Sequence, residues 1–221
     1  MTTRSGPWID AQITAYIAAR ATPPGEVERW LAAKTAELGR VSQMQIGADQ
    51  GALMGLLVRL TGARQAIEIG TFTGMSALHV ALAMPADGRI LCCDVSEEWT
   101  SLARDAWEQA GVRDKIDLRI APALTTLAAL PTDTTFDFAF VDADKSNYGN
   151  YIDALAPMLR ANALVLVDNT LWGGQVVEAP AADDTVDTVA LRAFNDKVAV
   201  DDRFETYLLP VGDGLTLLRR R

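Results

Sequence analysis

The chain has only two cysteines and one histidine among its 221 residues, and this scarcity excludes several kinds of site. Cys92 and Cys93 are adjacent in an apolar run, where neighbours on a strand point to opposite faces, so we expect buried, unpaired thiols. Two cysteines and one histidine do not easily make a zinc site. We expect His79 to be packed or surface-exposed rather than catalytic, which argues against a Ser-His-Asp hydrolase.

Basic charge is also scarce. The chain has 20 Lys and Arg against 29 Asp and Glu, a formal net charge of −9, with its one basic cluster at 219–221. Nucleic acids and anionic membranes need clustered cations, so we expect neither as a partner. No run approaches the ~20 apolar residues of a membrane span. The first 30 residues do not resemble a secretory signal, which makes a cytoplasmic location the default expectation.

Hydrophobic residues make up 49% of the chain, enough for the core of one domain over 1–221. Helical spacing of apolar residues predicts three helices in a helical N-terminal cap, residues 1–62, the first of them around Trp8, Ile9, Ile13 and Ile17. A core over 63–221 then alternates short apolar runs with helix-like stretches, which is typical of a mainly parallel sheet. The predicted strands are 65–69, 89–93, 116–120, 136–141 and 163–167. The predicted helices of the core are 75–84, 97–110, 122–130, 148–160 and 186–199.

The last part of the core differs. Two apolar runs, 204–209 and 215–219, flank the glycine-containing segment 211–214, which predicts a hairpin and antiparallel strands at the end of the sheet. The expected fold is therefore α/β, with a mainly parallel sheet of seven strands.

Two of the predicted strands end in oxygen-bearing side chains. Asp142 follows the run 136–141, and Asp168 and Asn169 follow the run 163–167. Chemistry in an open α/β sheet gathers at the carboxyl ends of the strands, so we expect these three side chains to lie close together. Oxygen ligands suit a cation of the magnesium or calcium type, and Lys145 would bring an amine beside it.

A glycine loop follows the first strand. It runs from Glu68 through Gly70 and Gly74 to Ser76, where a helix is predicted to begin. The loop lacks the dinucleotide fingerprint and the lysine of a phosphate-binding loop, so a purely structural turn stays open from this segment alone. Asp94 ends the next strand, where a carboxylate can accept both ribose hydroxyls of a nucleoside. Together they favour a nucleoside without a pyrophosphate, and S-adenosylmethionine fits.

Four segments carry a resemblance to a known family. They are Ala-Ile-Glu-Ile-Gly-Thr-Phe-Thr-Gly-Met-Ser-Ala-Leu at 66–78, Phe-Ala-Phe-Val-Asp-Ala-Asp-Lys at 138–145, Val-Asp-Asn at 167–169 and Phe-Asn-Asp-Lys-Val at 194–198. In this order they resemble the cation-dependent O-methyltransferases, the group of catechol and caffeoyl-CoA O-methyltransferases, over about residues 40–220. The resemblance implies a Rossmann-like class I methyltransferase fold and suggests a homodimer.

The resemblance also implies roles for single residues. Asp142, Asp168 and Asn169 would bind Mg²⁺ or another divalent cation such as Mn²⁺ or Ca²⁺, and Lys145 would be the general base, with Asp142 beside it in the catalytic set. Lys145, Asn169 and Trp172 would contact the substrate, although plain loop packing is the alternative for Trp172. The residues expected to contact S-adenosylmethionine are Met44, Ile46, Glu68, Gly70, Phe72, Ser76, Asp94, Val95, Ala123 and Asp142.

Two positions depart from the family pattern, and one acidic residue has an open role. Met75 stands where the family usually has tyrosine, and Ala121 where glycine is more usual, which leaves the adenine contacts less well defined. Asp144 is expected to cap the following helix or to help seat the adenine, rather than to bind the cation.

The expected function is divalent-cation-dependent methyl transfer from S-adenosylmethionine to a hydroxyl of a vicinal diphenol. One alternative is another acceptor, such as a CoA-linked phenol or a natural-product intermediate. A second is a non-catalytic protein that binds S-adenosylmethionine.

Overall fold

Helices and strands alternate along most of the chain. The computed structural model describes residues 11–221, so Trp8 and Ile9 of the first predicted helix lie outside the described residues. The helices are α1 Ala11–Ala18, α2 Glu26–Ala36, α3 Ala48–Thr61, α4 Met75–Ala83, α5 Glu97–Gln109, α6 Ala123–Ala128, α7 Tyr148–Leu155 and α8 Val186–Ala199. The strands are β1 Gln65–Ile69, β2 Arg89–Asp94, β3 Ile116–Ile120, β4 Phe136–Val141, β5 Leu159–Val167, β6 Phe204–Leu209 and β7 Leu215–Arg220.

The strands form one seven-stranded sheet in the order β3-β2-β1-β4-β5-β7-β6. The first five strands are parallel, and β7 pairs antiparallel with both β5 and β6. This confirms the predicted fold, including the C-terminal hairpin. The order reverses between β1 and β4, and the crevice outside the carboxyl ends of these two strands is where open α/β sheets bind ligands.

One strand is longer than predicted. β5 begins at Leu159, which pairs with Phe136, four residues before the predicted start. Residues 160–162 are exposed and do not continue the apolar run, and Asn162 has a φ of +66°. The pairing irregularity lies at this position, so periodicity alone misses the early part of the strand.

The core lies in two layers, one on each face of the sheet. Helices α2 to α5 cover one face and α6 to α8 cover the other. Cys92 belongs to the first layer and Cys93 to the second, and both thiols are free and buried, as predicted. Trp107 is fully buried and its Nε1 donates to the carbonyl of Gly74 at 3.1 Å, which ties α5 to the glycine loop.

Helix α3 carries the N-terminal cap onto the sheet by packing against α4. A Cβ on Gly51 would lie 2.2 Å from His79 Cδ2, so glycine allows the two helices to approach. His79 is 8% exposed and its Nδ1 lies 3.1 Å from Glu28 Oε1 of α2. Burial lowers the pKa of His79, and the Glu28 carboxylate opposes this shift. The single histidine is therefore packed, as predicted.

Among residues 11–221, no helix combines the length and apolarity that a membrane crossing requires.

Candidate active site

The register of the parallel strands brings the polar strand ends together. Ile69 pairs with Cys93 of β2 and with Val141 of β4, and Val141 in turn pairs with Val167 of β5. The residues that follow, Gly70, Asp94, Asp142 and Asp168, therefore emerge at one edge of the sheet. Backbone bonds continue the ladder there, from Asp142 N to Ile69 O at 2.8 Å and from Asp168 N to Val141 O at 3.0 Å.

The glycine loop needs its glycines for close approach. Gly70 has a φ of +91°, and a Cβ on it would lie 1.9 Å from the carbonyl oxygen of Asp142. Gly74 precedes α4 with a φ of +83°, and a Cβ there would lie 2.5 Å from Ala103 Cβ. Any side chain at Gly70 would force apart the ends of β1 and β4, where the strand order reverses.

Asp94 organises this loop from the neighbouring strand. Its Oδ2 accepts from the backbone N–H groups of Thr71 and Phe72, at 2.9 and 2.8 Å, and its Oδ1 accepts from Ser96 N at 2.8 Å. An ionised carboxylate has about four acceptor positions, so capacity for a ligand hydroxyl remains. Asp94 thus shapes the loop in addition to the ribose contact predicted for it.

Glu68 is a buried acid without a well-formed hydrogen bond. The residue is 0% exposed, and neither carboxyl oxygen has a hydrogen-bond partner among the described residues. Burial raises its pKa to about 8; the nearby Ser76 and Thr71 hydroxyls lower it in part, and Asp94 adds to the rise. An unpartnered buried acid is costly, so a cationic ligand group such as the amine of S-adenosylmethionine fits here.

Lys145 and Asp142 form an ion pair just beyond β4. Lys145 Nζ lies 2.9 Å from Asp142 Oδ1 and 5.1 Å from the centre of the Tyr148 ring. Both side chains are mostly buried, with 11% and 16% exposed, so the pair is held in place rather than free in solvent. Asp144 is exposed and accepts from Asn147 Nδ2 and Tyr151 OH, two local contacts with the start of the following helical segment.

Asp168 is buried at 3% exposure with donors on both carboxyl oxygens. Oδ1 accepts from Asn169 N at 2.7 Å, and Oδ2 accepts from Gln50 Nε2 at 2.8 Å. Burial, and then the negative charge of Asp142, raise the pKa of Asp168 well above its usual range. Asn169 has a φ of +57°, a strained backbone that turns the chain directly after the strand.

These residues fit a divalent cation. Asp142, Asp168 and Asn169 offer two carboxylates and an amide oxygen, the donors that Mg²⁺, Mn²⁺ and Ca²⁺ prefer. The two carboxylates repel each other in a buried setting, and a dication would offset that repulsion. No cluster of three or more His, Cys, Asp or Glu side chains suited to a metal occurs in residues 11–221.

One of the segments that carry further predicted cofactor residues, 44–46, is tied to the glycine loop. Gln45 Nε2 donates to Thr73 Oγ1 at 3.0 Å, which brings its neighbours Met44 and Ile46 to the loop. Phe72 packs edge-on against Trp99, with ring centres 5.2 Å apart. The exposure of the remaining side chains varies: Met44 and Val95 are exposed, Ile46 is half-buried, and Ser76 and Ala123 are buried.

Trp172 opens a 3₁₀ segment, Trp172–Val177, that α8 holds in place. Asn195 Nδ2 donates to Thr170 O at 2.8 Å, and Thr188 Oγ1 donates to Gln175 Oε1 at 3.0 Å. The Arg192 guanidinium donates to three backbone carbonyls, those of residues 175, 176 and 178, and pairs with Asp184.

Sequence reasoning missed Gln50 and Arg192, since neither lies in a recognisable pattern. Asn195 stands in the family-like segment 194–198 but received no role from it. The family-like segment was therefore the signal that could have identified Asn195. Its hydrogen bond to Thr170 O shows what this side chain does.

The fold and the site define a class. A doubly wound sheet with a C-terminal hairpin, a glycine loop after β1 and an acid at the end of β2 is the architecture of S-adenosylmethionine-dependent methyltransferases. Solved structures agree. The O-methyltransferase TomG from Streptomyces achromogenes, described in complex with SAM, has a TM-score of 0.86 and 28% identity over 95% of this chain and 96% of that one. The O-methyltransferase from Bacillus cereus, described in complex with SAH, has a TM-score of 0.86 and 25% identity over 95% and 97%.

The chain belongs to the O-methyltransferase family, whose sequence profile matches residues 25–221. Tricin synthase 2 from Oryza sativa subsp. japonica is 45% identical over 78% of this chain, and the chain spans 62% of that relative's length. Caffeoyl-CoA O-methyltransferase 2 from Zea mays is 45% identical over 80% of the chain and 70% of the relative. The recognised resemblance is confirmed, and the protein is an S-adenosylmethionine-dependent O-methyltransferase.

Proposed function

We propose that the protein methylates a hydroxyl of a vicinal diphenol in a reaction that depends on a divalent cation. The observation that carries the proposal is the strand register, which sets Asp142 and Asp168 at the same sheet edge as the glycine loop. A methyl donor on the loop and a chelated acceptor would then meet at the place where the strand order reverses. Mg²⁺ keeps several ligands that do not come from the protein, so two vicinal oxygens of an acceptor could bind to it together.

The residues of the chain divide the work. A bound cation would stabilise the deprotonated acceptor oxygen, and S-adenosylmethionine would supply the methyl group on its sulfonium. Asp142, Asp168 and Asn169 would hold the cation. Glu68, ionised by pairing with the cofactor amine, would hold the methionine end of the donor. Lys145, kept in position by Asp142 and Tyr148, would take the proton of the acceptor hydroxyl when it is in its neutral amine form.

Orientation is the main contribution expected from this scaffold. The register and the bonds on both oxygens of Asp168 fix the groups before any ligand arrives, so little reorganisation is needed. Well-oriented reactants gain up to roughly 7–11 kcal/mol in intramolecular systems. No covalent intermediate with the protein is required.

A CoA-linked phenol is the second candidate acceptor. The names of the maize and Eucalyptus globulus relatives, both caffeoyl-CoA O-methyltransferases at 45% identity, favour it. A caffeoyl group is itself a vicinal diphenol, so both candidate acceptors would bind the cation through the same two oxygens. They differ in whether the site must also accommodate the CoA group. Comparing free caffeate with its CoA thioester separates them.

The test is methyl transfer followed by mass spectrometry across a panel of vicinal diphenols, with Mg²⁺ and with excess EDTA. We expect transfer with the cation and none with the chelator, and a monomethylated product from each active acceptor. Full activity in EDTA would refute the cation dependence. Equal rates on diphenols and on simple phenols would refute the chelated acceptor.

A matched pair of variants tests the assignment of Asp168. Asp168→Asn keeps the shape of the side chain and removes one charge from the site, so turnover should collapse while the protein stays folded. Asp117→Asn is the control, because Asp117 is an exposed carboxylate paired with Arg119 on the surface of β3. Turnover that is equal in the two variants would remove Asp168 from the site.

We also propose a homodimer, supported by apolar side chains that the N-terminal helices leave in solvent. Tyr16 and Ile17 of α1 are 59% and 49% exposed, and Leu56 and Leu60 of α3 are 50% and 73% exposed. Covering such side chains is favourable, by about 25 cal/mol per Å² of apolar surface. Light scattering of the purified protein tests this, and a monomeric mass would refute it.

A further inference from the structure

Gln50 reaches from the N-terminal cap into the strand edge. It lies in the first turn of α3, is 2% exposed, and donates from Nε2 to Asp168 Oδ2 at 2.8 Å across 118 residues of sequence. Among the hydrogen bonds of residues 11–221, this one joins a cap side chain directly to a predicted cation ligand. Burying the amide of a glutamine costs folding free energy unless a hydrogen-bond partner compensates for the lost contact with water.

Three elements fix the position of the Gln50 amide. Helix α3 rests on α4 through Gly51 and Gly55, so the start of α3 has little freedom to move. On the opposite side, a Cβ on Gly212, in the turn between β6 and β7, would lie 2.6 Å from Gln50 Oε1. Glycine at 212, with a φ of +58°, leaves the room that the amide occupies.

The bond completes the restraint of Asp168. Asn169 N holds Oδ1 and Gln50 Nε2 holds Oδ2, so the carboxylate cannot rotate about its Cβ–Cγ bond without losing one donor. Both donors are neutral, unlike the Lys145 amine on Asp142, so they orient the group and leave its negative charge available. Each carboxylate oxygen has a second lone pair for a ligand.

We propose that Gln50 is a positioning residue for the divalent cation, acting by holding Asp168 in the orientation that binds it. This inference rests on the cation dependence proposed above. It links the N-terminal cap to the cation site, because a change in the position of α3 would move the Gln50 amide that donates to Asp168. Partners of this kind typically set metal affinity by roughly 10–100-fold.

The competing explanation is that Gln50 only supports the fold by giving a buried carboxylate a partner. Both explanations expect a loss of stability when the amide is removed. They differ in what happens to cation affinity in protein that is still folded, and that difference decides between them.

The variant is Gln50→Met, which keeps the length of the side chain and removes the donor. The matched control is Gln45→Met, because Gln45 is another cap glutamine with two hydrogen bonds, to Thr35 Oγ1 at 2.7 Å and Thr73 Oγ1 at 3.0 Å, and none to Asp168. Mn²⁺ binding to the full-length protein is measured from the electron paramagnetic resonance signal of the free ion. Binding of S-adenosylhomocysteine is measured by calorimetry.

We expect Gln50→Met to weaken Mn²⁺ binding by roughly 10–100-fold and Gln45→Met to leave it within about twofold of the original protein. The Mg²⁺ concentration for half-maximal activity should rise by the same factor, and kcat at saturating Mg²⁺ should recover. Affinity for S-adenosylhomocysteine should stay unchanged in Gln50→Met. Gln50→Asn, whose amide is one methylene too short to reach, should give the same result if the methionine variant does not fold.

Equal Mn²⁺ affinity in the original protein and in a folded Gln50 variant would overturn the inference and leave the proposed function standing. Loss of S-adenosylhomocysteine binding together with Mn²⁺ binding would also overturn it, because the whole site would then be disturbed. A lack of Mn²⁺ binding by the original protein would refute the proposed cation dependence itself. The two failures are therefore distinguishable.

Discussion

Glu68 combines full burial with two carboxyl oxygens that lack hydrogen-bond partners among the described residues, and this combination has a measurable cost. Burial raises its pKa from 4.5 to about 8. The unfolded chain ionises near 4.5, so at any pH between these values folding must bind a proton at Glu68. The stabilising effect of the neutral acid is complete below pH 4.5 and is lost as the pH rises through about 8.

The size of the effect follows from the two pKa values. Each pH unit within the window removes about 1.4 kcal/mol of unfolding free energy. The loss is therefore about 3 kcal/mol at pH 7 and reaches an upper limit of about 5 kcal/mol above pH 8, since water that enters on ionisation reduces the cost. Glu68→Gln keeps the shape of the side chain and does not ionise, so it should escape this loss.

The assay is urea unfolding of both proteins without cofactor, at about pH 5 and about pH 9. The two proteins differ in no other titratable group, so the difference between their unfolding free energies reports mainly on Glu68. We expect Glu68→Gln to gain stability relative to the original protein as the pH rises, and to bind S-adenosylhomocysteine more weakly. Stability curves that stay parallel within about 0.5 kcal/mol from low to high pH would refute the reasoning.

Three further changes probe the other parts of the site. Lys145→Met should lower kcat by roughly 10²–10⁴-fold in the methyl-transfer assay without changing affinity for S-adenosylhomocysteine, and an unchanged kcat would remove Lys145 as the base. Arg192→Met should free the segment 172–184, so that limited proteolysis cuts it faster and the KM for the acceptor rises. The control is Arg160→Met, which alters an arginine that is half exposed on the surface, and equal cutting of the two variants would contradict this. Gly214→Ala should lower the unfolding free energy in urea by about 1–3 kcal/mol, because its φ is +93° and a Cβ there would lie 2.5 Å from Leu171; wild-type stability would show that the turn relaxes freely.

The strands could be predicted because β1, β2, β4 and the end of β5 are buried and stand out as apolar runs, whereas β3 is mostly exposed and only Ile116 in it is buried. The register at the sheet edge then followed from where those runs stop, which is why Asp94, Asp142 and Asp168 were recognised as neighbours. The early part of β5 could not be predicted in this way. Residues 160–162 are exposed there, so only the pairing of Leu159 with Phe136 reveals the strand.

The side chains that support the site from distant parts of the chain could not be predicted from the sequence. Gln50 is one glutamine in an ordinary helix start, and its importance comes from the packing of α3 rather than from spacing. Asp94 shows the opposite case, because its position predicted a ligand contact and the structure adds three backbone donors to it. The side chains that hold a site in place carry no pattern of their own, since any residue of suitable length at a suitable place can do so.

The site draws on parts of the chain that lie far apart, and this bears on the order in which it can form during folding. The cofactor side closes between Thr71 and Asp94, 23 residues apart. The cation side needs Gln50 to meet Asp168 across 118 residues and Thr170 to meet Gly214 across 44. Closing longer loops costs more entropy, so the glycine loop can take shape early while the cation ligands wait for the hairpin and the first helices to dock. A partly folded chain in which the hairpin and the first helices have not docked would therefore have a formed glycine loop and no ordered cation ligands.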